Sequence, residues 1–162
     1  MVKQKPIIMW INHLSLLPGD PSVKTSYNAV NSGVGGGLTG LVIESTTTGD
    51  QAQGGGNKVV QKALDVPPGY LITGVRVGYE NSNVRSFITQ VRLAQVQNPP
   101  GSATVLLDDP AHLNAAGPTY HNTVATSIDP AKGPLLLDLR VNFGNTSDRI
   151  VVRGLGLLLL KE

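Results

Sequence analysis

The chain has 162 residues, enough for one domain with a buried core, and it contains 19 glycines, 11 prolines and no cysteine. Without cysteine there are no disulfides, no thiolate catalysis and no cysteine-ligated zinc. The formal charge is only +2 with basic residues scattered along the chain, which excludes the basic cluster of a nucleic-acid or anionic-membrane binder.

Charged residues make up 15% of the chain, against about 25% in ordinary globular proteins, so little of the surface is designed purely for water. Residues 7–11 are apolar, but Asn12 and His13 interrupt the run before it reaches the length of a secretory signal core. The Leu157–Leu160 run is far too short to cross a bilayer. The expectation is a protein made in the cytoplasm and not inserted in a membrane, with release by lysis or a leaderless route left open.

Residues 7–17 are strand-like and apolar on both parities. Ile7, Met9 and Ile11 take one side; Ile8, Trp10, Leu14 and Leu16 take the other. Pro18-Gly19-Asp20-Pro21 ends the segment as a turn. A short strand over 23–30 leads into the glycine-rich stretch 31–40, and 41–48 is rich in β-branched residues and reads as a strand. Residues 49–57 (GDQAQGGGN) form a second glycine-rich loop. The two loops flank one short strand and are read as binding loops or as long connections. Gly35 to Gly40 spells G-x-G-x-x-G, but a strand-like run follows it where a phosphate-binding turn needs a helix.

After a strand over 59–66 and the turn Pro67-Pro68-Gly69, residues 70–80 and 86–97 read as a hairpin around Asn81-Ser82-Asn83. Leu71, Val75, Val77 and Tyr79 then share one face with Phe87, Val91 and Leu93. The opposite face carries Gly74, Arg76, Gly78 and Glu80 beside Gln90, Arg92 and Ala94. In that pairing the glycines leave a trough edged by Arg76, Gln90 and Arg92 with Tyr70 nearby, suited to a sugar, a carboxylate or a neighbouring subunit. A solvated polar face is the plain alternative.

Pro99-Pro100-Gly101 breaks the chain before a short strand over 103–107. In the polar loop 108–118, Asp108, Asp109 and His112 have the chemistry of metal ligands, but their spacing matches no ligand signature and is ordinary for a turn. No metal and no cofactor is therefore expected. Residues 119–128 form a further strand, and 133–143 alternates clearly: Leu135, Leu137, Leu139, Val141 and Phe143 inward, Asp138, Arg140 and Asn142 outward.

The final strand, within 148–161, is apolar on both faces. Ile150, Val152, Leu158 and Leu160 lie on one parity; Val151, Leu155, Leu157 and Leu159 lie on the other. Each aliphatic side chain gains ~1.5–3 kcal/mol on burial, so both faces need cover. Trp10, Leu14, Val151, Leu155, Leu157 and Leu159 are accordingly expected in a buried contact, between subunits or beneath the N-terminal segment.

Turn signals at regular intervals and the lack of helical periodicity give an all-β fold: one antiparallel β-sandwich over 1–162, jelly-roll-like, with about eight or nine strands. No nucleophile elbow and no local pair of acids marks an active site, so the chain is expected to be non-catalytic. The first functional expectation is a structural, self-associating subunit of a homo-oligomer or larger assembly. The alternative is a carbohydrate-binding, lectin-like module that uses the glycine-rich loops or the Arg76/Arg92 trough.

Overall fold

The structure, a computed structural model, describes residues 4–27 and 40–162. Most of the first glycine-rich stretch, including all but the last residue of the G-x-G-x-x-G run, lies outside the described residues. Eleven strands are described: β1 (Ile7–Ile11), β2 (Leu17–Pro18), β3 (Val23–Ser26), β4 (Leu41–Ser45), β5 (Val59–Leu64), β6 (Tyr70–Asn81), β7 (Phe87–Val96), β8 (Ala103–Asp109), β9 (Thr119–Asn122), β10 (Leu135–Asn142) and β11 (Ile150–Lys161). The count exceeds the expected eight or nine partly because the segment 7–17 is cut in two. Asn12 accepts a hydrogen bond from the Leu14 amide and starts a single 3-10 turn, His13–Ser15, between β1 and β2.

The strands form two antiparallel sheets. One runs β3-β4-β11-β6-β9, with β1 pairing the second half of β11; the other runs β2-β5-β10-β7-β8. From β4 to β7, and again from β9 to β11, successive strands alternate between the sheets. This is the interleaving of a jelly-roll-like β-sandwich.

The expected β6–β7 hairpin does not form. β6 pairs β11 and β9, while β7 pairs β10 and β8 in the opposite sheet. Alternation along two strands is satisfied equally well when both aim their apolar faces at a shared core from opposite sides. The connecting residues have the contacts of an arch between sheets. Asn81 Nδ2 donates to the carbonyls of Leu113 and Ala115 at 2.9 and 2.8 Å, and the Ser82 amide donates to Arg149 O at 3.0 Å.

The core faces of the two long strands are set by β-bulges. On β11 the register against β6 slips at Arg153, so Ile150 and Val152 share the core face with Leu155, Leu157 and Leu159. On β6 the extra residue is Thr73, which turns Ile72 inward and leaves Leu71 half-buried. One added residue inverts the parity of everything beyond it. Leu155, Leu157 and Leu159 are therefore core residues of a single chain and not contacts between subunits. Val151 points to the other face but is equally buried, because Gly40 packs against it so closely that a Cβ there would stand 2.4 Å from Val151 Cγ1. Trp10 and Leu14 are 54% and 40% exposed in the single chain, so neither is covered within it. Among the described residues, no helix is long and apolar enough to cross a membrane.

Candidate functional site

The outer face of the β5-β10-β7-β8 sheet is built by strict alternation on β10. Leu135, Leu137, Leu139 and Val141 are buried, and Leu136, Asp138, Arg140 and Asn142 face outward, half-buried. The register places Asp138 opposite Gln61 on β5 and Arg92 on β7, and Arg92 opposite Asp108 on β8. Four strands thus contribute one cross-strand row, Gln61–Asp138–Arg92–Asp108. Gln61 Nε2 donates to Asp138 Oδ1 at 2.6 Å, and Arg92 Nη2 reaches Asp108 Oδ2 at 3.2 Å. The adjacent row sets Arg140 opposite Gln90. Arg140 pairs with Asp50 at 2.9 Å, and Gln90 Nε2 donates to the other oxygen of Asp108.

These rows floor a groove made of two adjoining hollows. One, of about 380 Å³, is lined by residues that include Asp50, Phe87, Thr89, Pro110, His112 and Asn142. The other, of about 240 Å³, is lined by Asn57, Val59, Arg92 and Asp138, and the two share Gln90 and Arg140. The second glycine-rich loop forms one rim, since Asp50 and Asn57 bracket it. Its turn needs glycine at Gly55 and Gly56, where φ is +96° and +77°. His112 stacks against Phe87 on the other rim, with ring centroids 4.9 Å apart. A larger hollow, about 570 Å³, opens at one end of the sandwich, but prolines and aliphatic side chains line most of it and Asp65 is its one charged group.

Charge in the groove is matched internally. Arg92 and Arg140 face Asp108, Asp50 and Asp138, so no strong single-sign field is available for a highly charged ligand. Burial raises the pKa of Asp138 above the ordinary carboxylate value, with the Gln61 hydrogen bond and the Arg92 charge opposing it. Among the described residues, four buried side-chain polar atoms lack a hydrogen-bond partner, and three of them are Thr89 Oγ1, Arg92 Nε and Arg140 Nε. All three are sealed from solvent beneath the groove floor. The register slip between Arg140 and Val141 makes Thr89 the extra residue on β7.

No family model matches the sequence, and no curated protein matches it. Solved structures are similar in fold. The CBM36-1 domain of a multidomain xylanase, from the hindgut metagenome of Trinervitermes trinervoides, matches over 94% of this chain and 95% of its own length, with a TM-score of 0.50 and 11% identity. A Clostridium thermocellum xylanase, comprising CBM22-1 and GH10 modules and complexed with xylohexaose, matches over 99% of this chain at a TM-score of 0.55 and 8% identity. The mosquito-larvicidal Cry4Aa toxin from Bacillus thuringiensis matches over 96% at a TM-score of 0.57 and 12% identity. This chain spans 29% of that xylanase and 24% of the toxin. The shared feature is the β-sandwich fold.

Of the four residues expected to edge one trough, Gln90 and Arg92 lie in the groove. Arg76 lies on the opposite side of the molecule, because β6 belongs to the other sheet. There its Nε donates to Asn122 Oδ1 at 2.8 Å. Tyr70 stands at the far end of β6, opposite Lys161, and packs against the core. Asp138 and Arg140 were readable as outward-facing, but their partnership with Gln90 and Arg92 depends on strand pairing that local sequence does not encode.

The aspartates and histidines of the polar segment do not converge. Asp108 points outward to Arg92, whereas Asp109, next along the strand, is buried and accepts from His121 Nε2 at 3.0 Å. The Ala111 and Val124 amides donate to the same carboxylate at 2.9 and 3.0 Å. Asp109 thus ties three segments together. Among the described residues no three His, Asp or Glu side chains form a cluster able to hold a metal.

Proposed function

We propose that this chain is a non-catalytic carbohydrate-binding module whose groove over β10 and β7 takes a neutral glycan. The observation that carries this reading is the charge-balanced groove surface, where Gln61, Asp138, Arg92 and Asp108 form one cross-strand row beside Gln90 and Arg140. A sugar chain offers hydroxyls that both donate and accept, which suits a surface where guanidinium, carboxamide and carboxylate groups alternate at strand spacing. The groove is elongated across two hollows, as an oligosaccharide requires and a compact metabolite does not. The likeness in fold to the xylanase modules supports this reading. Burial of the β11 leucines within one chain removes the main sequence argument for an assembly subunit.

Isothermal calorimetry with xylohexaose, cellohexaose and mannohexaose tests it. Binding of at least one is expected, weakened about tenfold or more in Arg92→Ala, since a hydrogen bond to a charged group contributes roughly 1.5–3 kcal/mol. No heat with any of the three, or equal affinity for Arg92→Ala, would overturn the assignment.

A further inference from the structure

The opposite face of the sandwich holds a pair of aromatic rings that the groove does not use. Trp10 on β1 and Tyr120 on β9 are 54% and 58% exposed, yet their ring centroids are only 5.9 Å apart, tilted by 49°. Two strands, β11 and β6, separate β1 from β9, so ordinary side chains would keep the rings apart.

Glycine brings them together. Trp10 stands opposite Gly156, Gly154 opposite Gly78, and Gly78 opposite Tyr120. A Cβ on Gly78 would lie 2.6 Å from Tyr120 Cε1, and one on Gly156 would lie 3.3 Å from Trp10 Cζ3. From Gly154 a Cβ would touch both rings, at 3.6 Å from Trp10 Cζ3 and 3.9 Å from the Tyr120 hydroxyl. Both rings therefore lie down over a bare backbone floor, held in place but open to solvent.

Beside them is a cleft of about 290 Å³, whose lining includes His13, Arg153 and Leu155. Its polar edges are matched. Arg153 pairs with Glu80 at 2.8 Å, both largely buried, and Arg76 lies over the Tyr120 ring at 5.8 Å while donating to Asn122.

We propose that this aromatic cleft is a second glycan site, for a pyranose ring or chain end, which makes the module bivalent. A pyranose presents an apolar C–H face and a polar rim. The two rings supply the apolar surface, and His13 and Arg153, which line the cleft, supply polar groups beside it. A second copy of the chain is the poorer occupant. A stable dimer buries about 800 Å² per partner around a largely apolar centre, whereas the apolar surface of Ile8, Trp10, Leu158 and Tyr120 here is bordered by glycine backbone and by the paired charges of Arg153 and Glu80. The site rests on the glycan reading of the chain but uses none of the first groove's residues.

Trp10 is the chain's only tryptophan, so its fluorescence reports on this cleft alone. The wild type, Arg92→Ala, Trp10→Ala, Tyr120→Ala and Gly154→Ala are titrated with xylohexaose, cellohexaose and mannohexaose. Emission and calorimetry are recorded for each protein, except that Trp10→Ala is followed by calorimetry alone. Expected are a shift in Trp10 emission that survives Arg92→Ala, its weakening at least tenfold in Tyr120→Ala, and two sugar sites in the wild type against one in Trp10→Ala. Gly154→Ala raises the floor by one methyl at ordinary contact distance and should also weaken it. Retention of the Arg92-dependent site shows that each variant at the cleft is folded. A single calorimetric site that Arg92→Ala abolishes, with no response from Trp10, would overturn this proposal and leave the groove standing. No response in either signal would overturn both. A native mass that halves on Trp10→Ala would make the surface a self-interface and overturn the second site.

Discussion

Lys58 Nζ donates to the carbonyl oxygen of Thr47 at 2.8 Å from a position with no solvent exposure. Ser45 Oγ and Thr47 Oγ1, each at 2.9 Å, and Gly49 O at 3.2 Å complete a cage of neutral oxygens, and the Phe143 ring lies 5.8 Å from the ammonium. Burial pushes the lysine pKa down, with Asp20 and Asp50 opposing it from a distance. The ammonium gathers the 45–49 segment, which leads into the loop that brackets the groove. Lys58→Met keeps the bulk and removes the donor, leaving several buried oxygens short of a partner. The expected loss is about 1–3 kcal/mol in urea unfolding, and the melting temperature should fall by about 2–4 °C per kcal/mol for a chain of this size. Unchanged or increased stability would mean that the cage contributes nothing net, as happens when some buried charges are replaced by apolar groups.

Acid should destabilise the fold through Asp148 and Asp109. A hydrogen bond from Arg85 holds Asp148 below the ordinary aspartate value, helped by Ser86 and by the Arg85 charge, while burial opposes it. For Asp109 burial works upward, but the hydrogen bonds from His121 and from the Ala111 and Val124 amides outweigh it, and the net shift is also downward. A carboxylate with a depressed folded pKa adds stability that is fully present above its unfolded value and disappears as pH falls through the folded one. Urea midpoints should therefore hold steady from pH 7 to about pH 5 and drop below about pH 4. Asp148→Asn should start lower at pH 7 and lose less on acidification. A parallel drop in both proteins would remove Asp148 from the account.

Leu157 separates a core role from a contact between subunits. It is fully buried against the opposite sheet, so Leu157→Asp places an unpaired carboxylate in the core and should cost more than about 4 kcal/mol. The expected result is loss of the cooperative unfolding transition and of near-ultraviolet dichroism. A folded variant with a smaller native mass would instead place Leu157 between subunits.

The fold class was legible because alternation, turn residues and the absence of helical period all point the same way. Strand 135–142 is the clearest case, with every second residue buried as its pattern implies. Two kinds of information were not local. The Arg153 and Thr73 bulges each insert one residue without any sequence signature, so face assignments held on one side of them and inverted on the other. The partnership of β6 and β7 was also misread, because an arch between sheets and a hairpin demand the same alternation. That error split the expected trough, sending Gln90 and Arg92 to one side of the molecule and Arg76 to the other. Trp10 and Tyr120 were hidden for a related reason. Four strands carry the rings and their floor, and only the assembled sheet shows glycines lying between two aromatics.

Asp138 gives the groove a pH dependence that sequence could not foretell. Its carboxyl is half-buried between Gln61 and Arg92, and burial holds its pKa above the ordinary value of 3.8. As a carboxylate it accepts hydrogen bonds; as an acid it turns one acceptor into a donor beside the Arg92 guanidinium. Glycan affinity at the groove should thus be constant near neutrality and fall as pH drops through the raised pKa, before the fold itself loosens. For stability the sign is opposite to that of Asp148. The folded state binds this proton more readily than the unfolded chain does, so the charged form is a liability at neutral pH that acid relieves. Asp138→Asn should bind more weakly at pH 7, lose the pH step in calorimetric titrations between pH 4 and 7, and be at least as stable as the wild type at pH 7. If the step persists in Asp138→Asn, another group controls it, and the row Gln61–Asp138–Arg92–Asp108 does not contact the sugar through its central carboxylate.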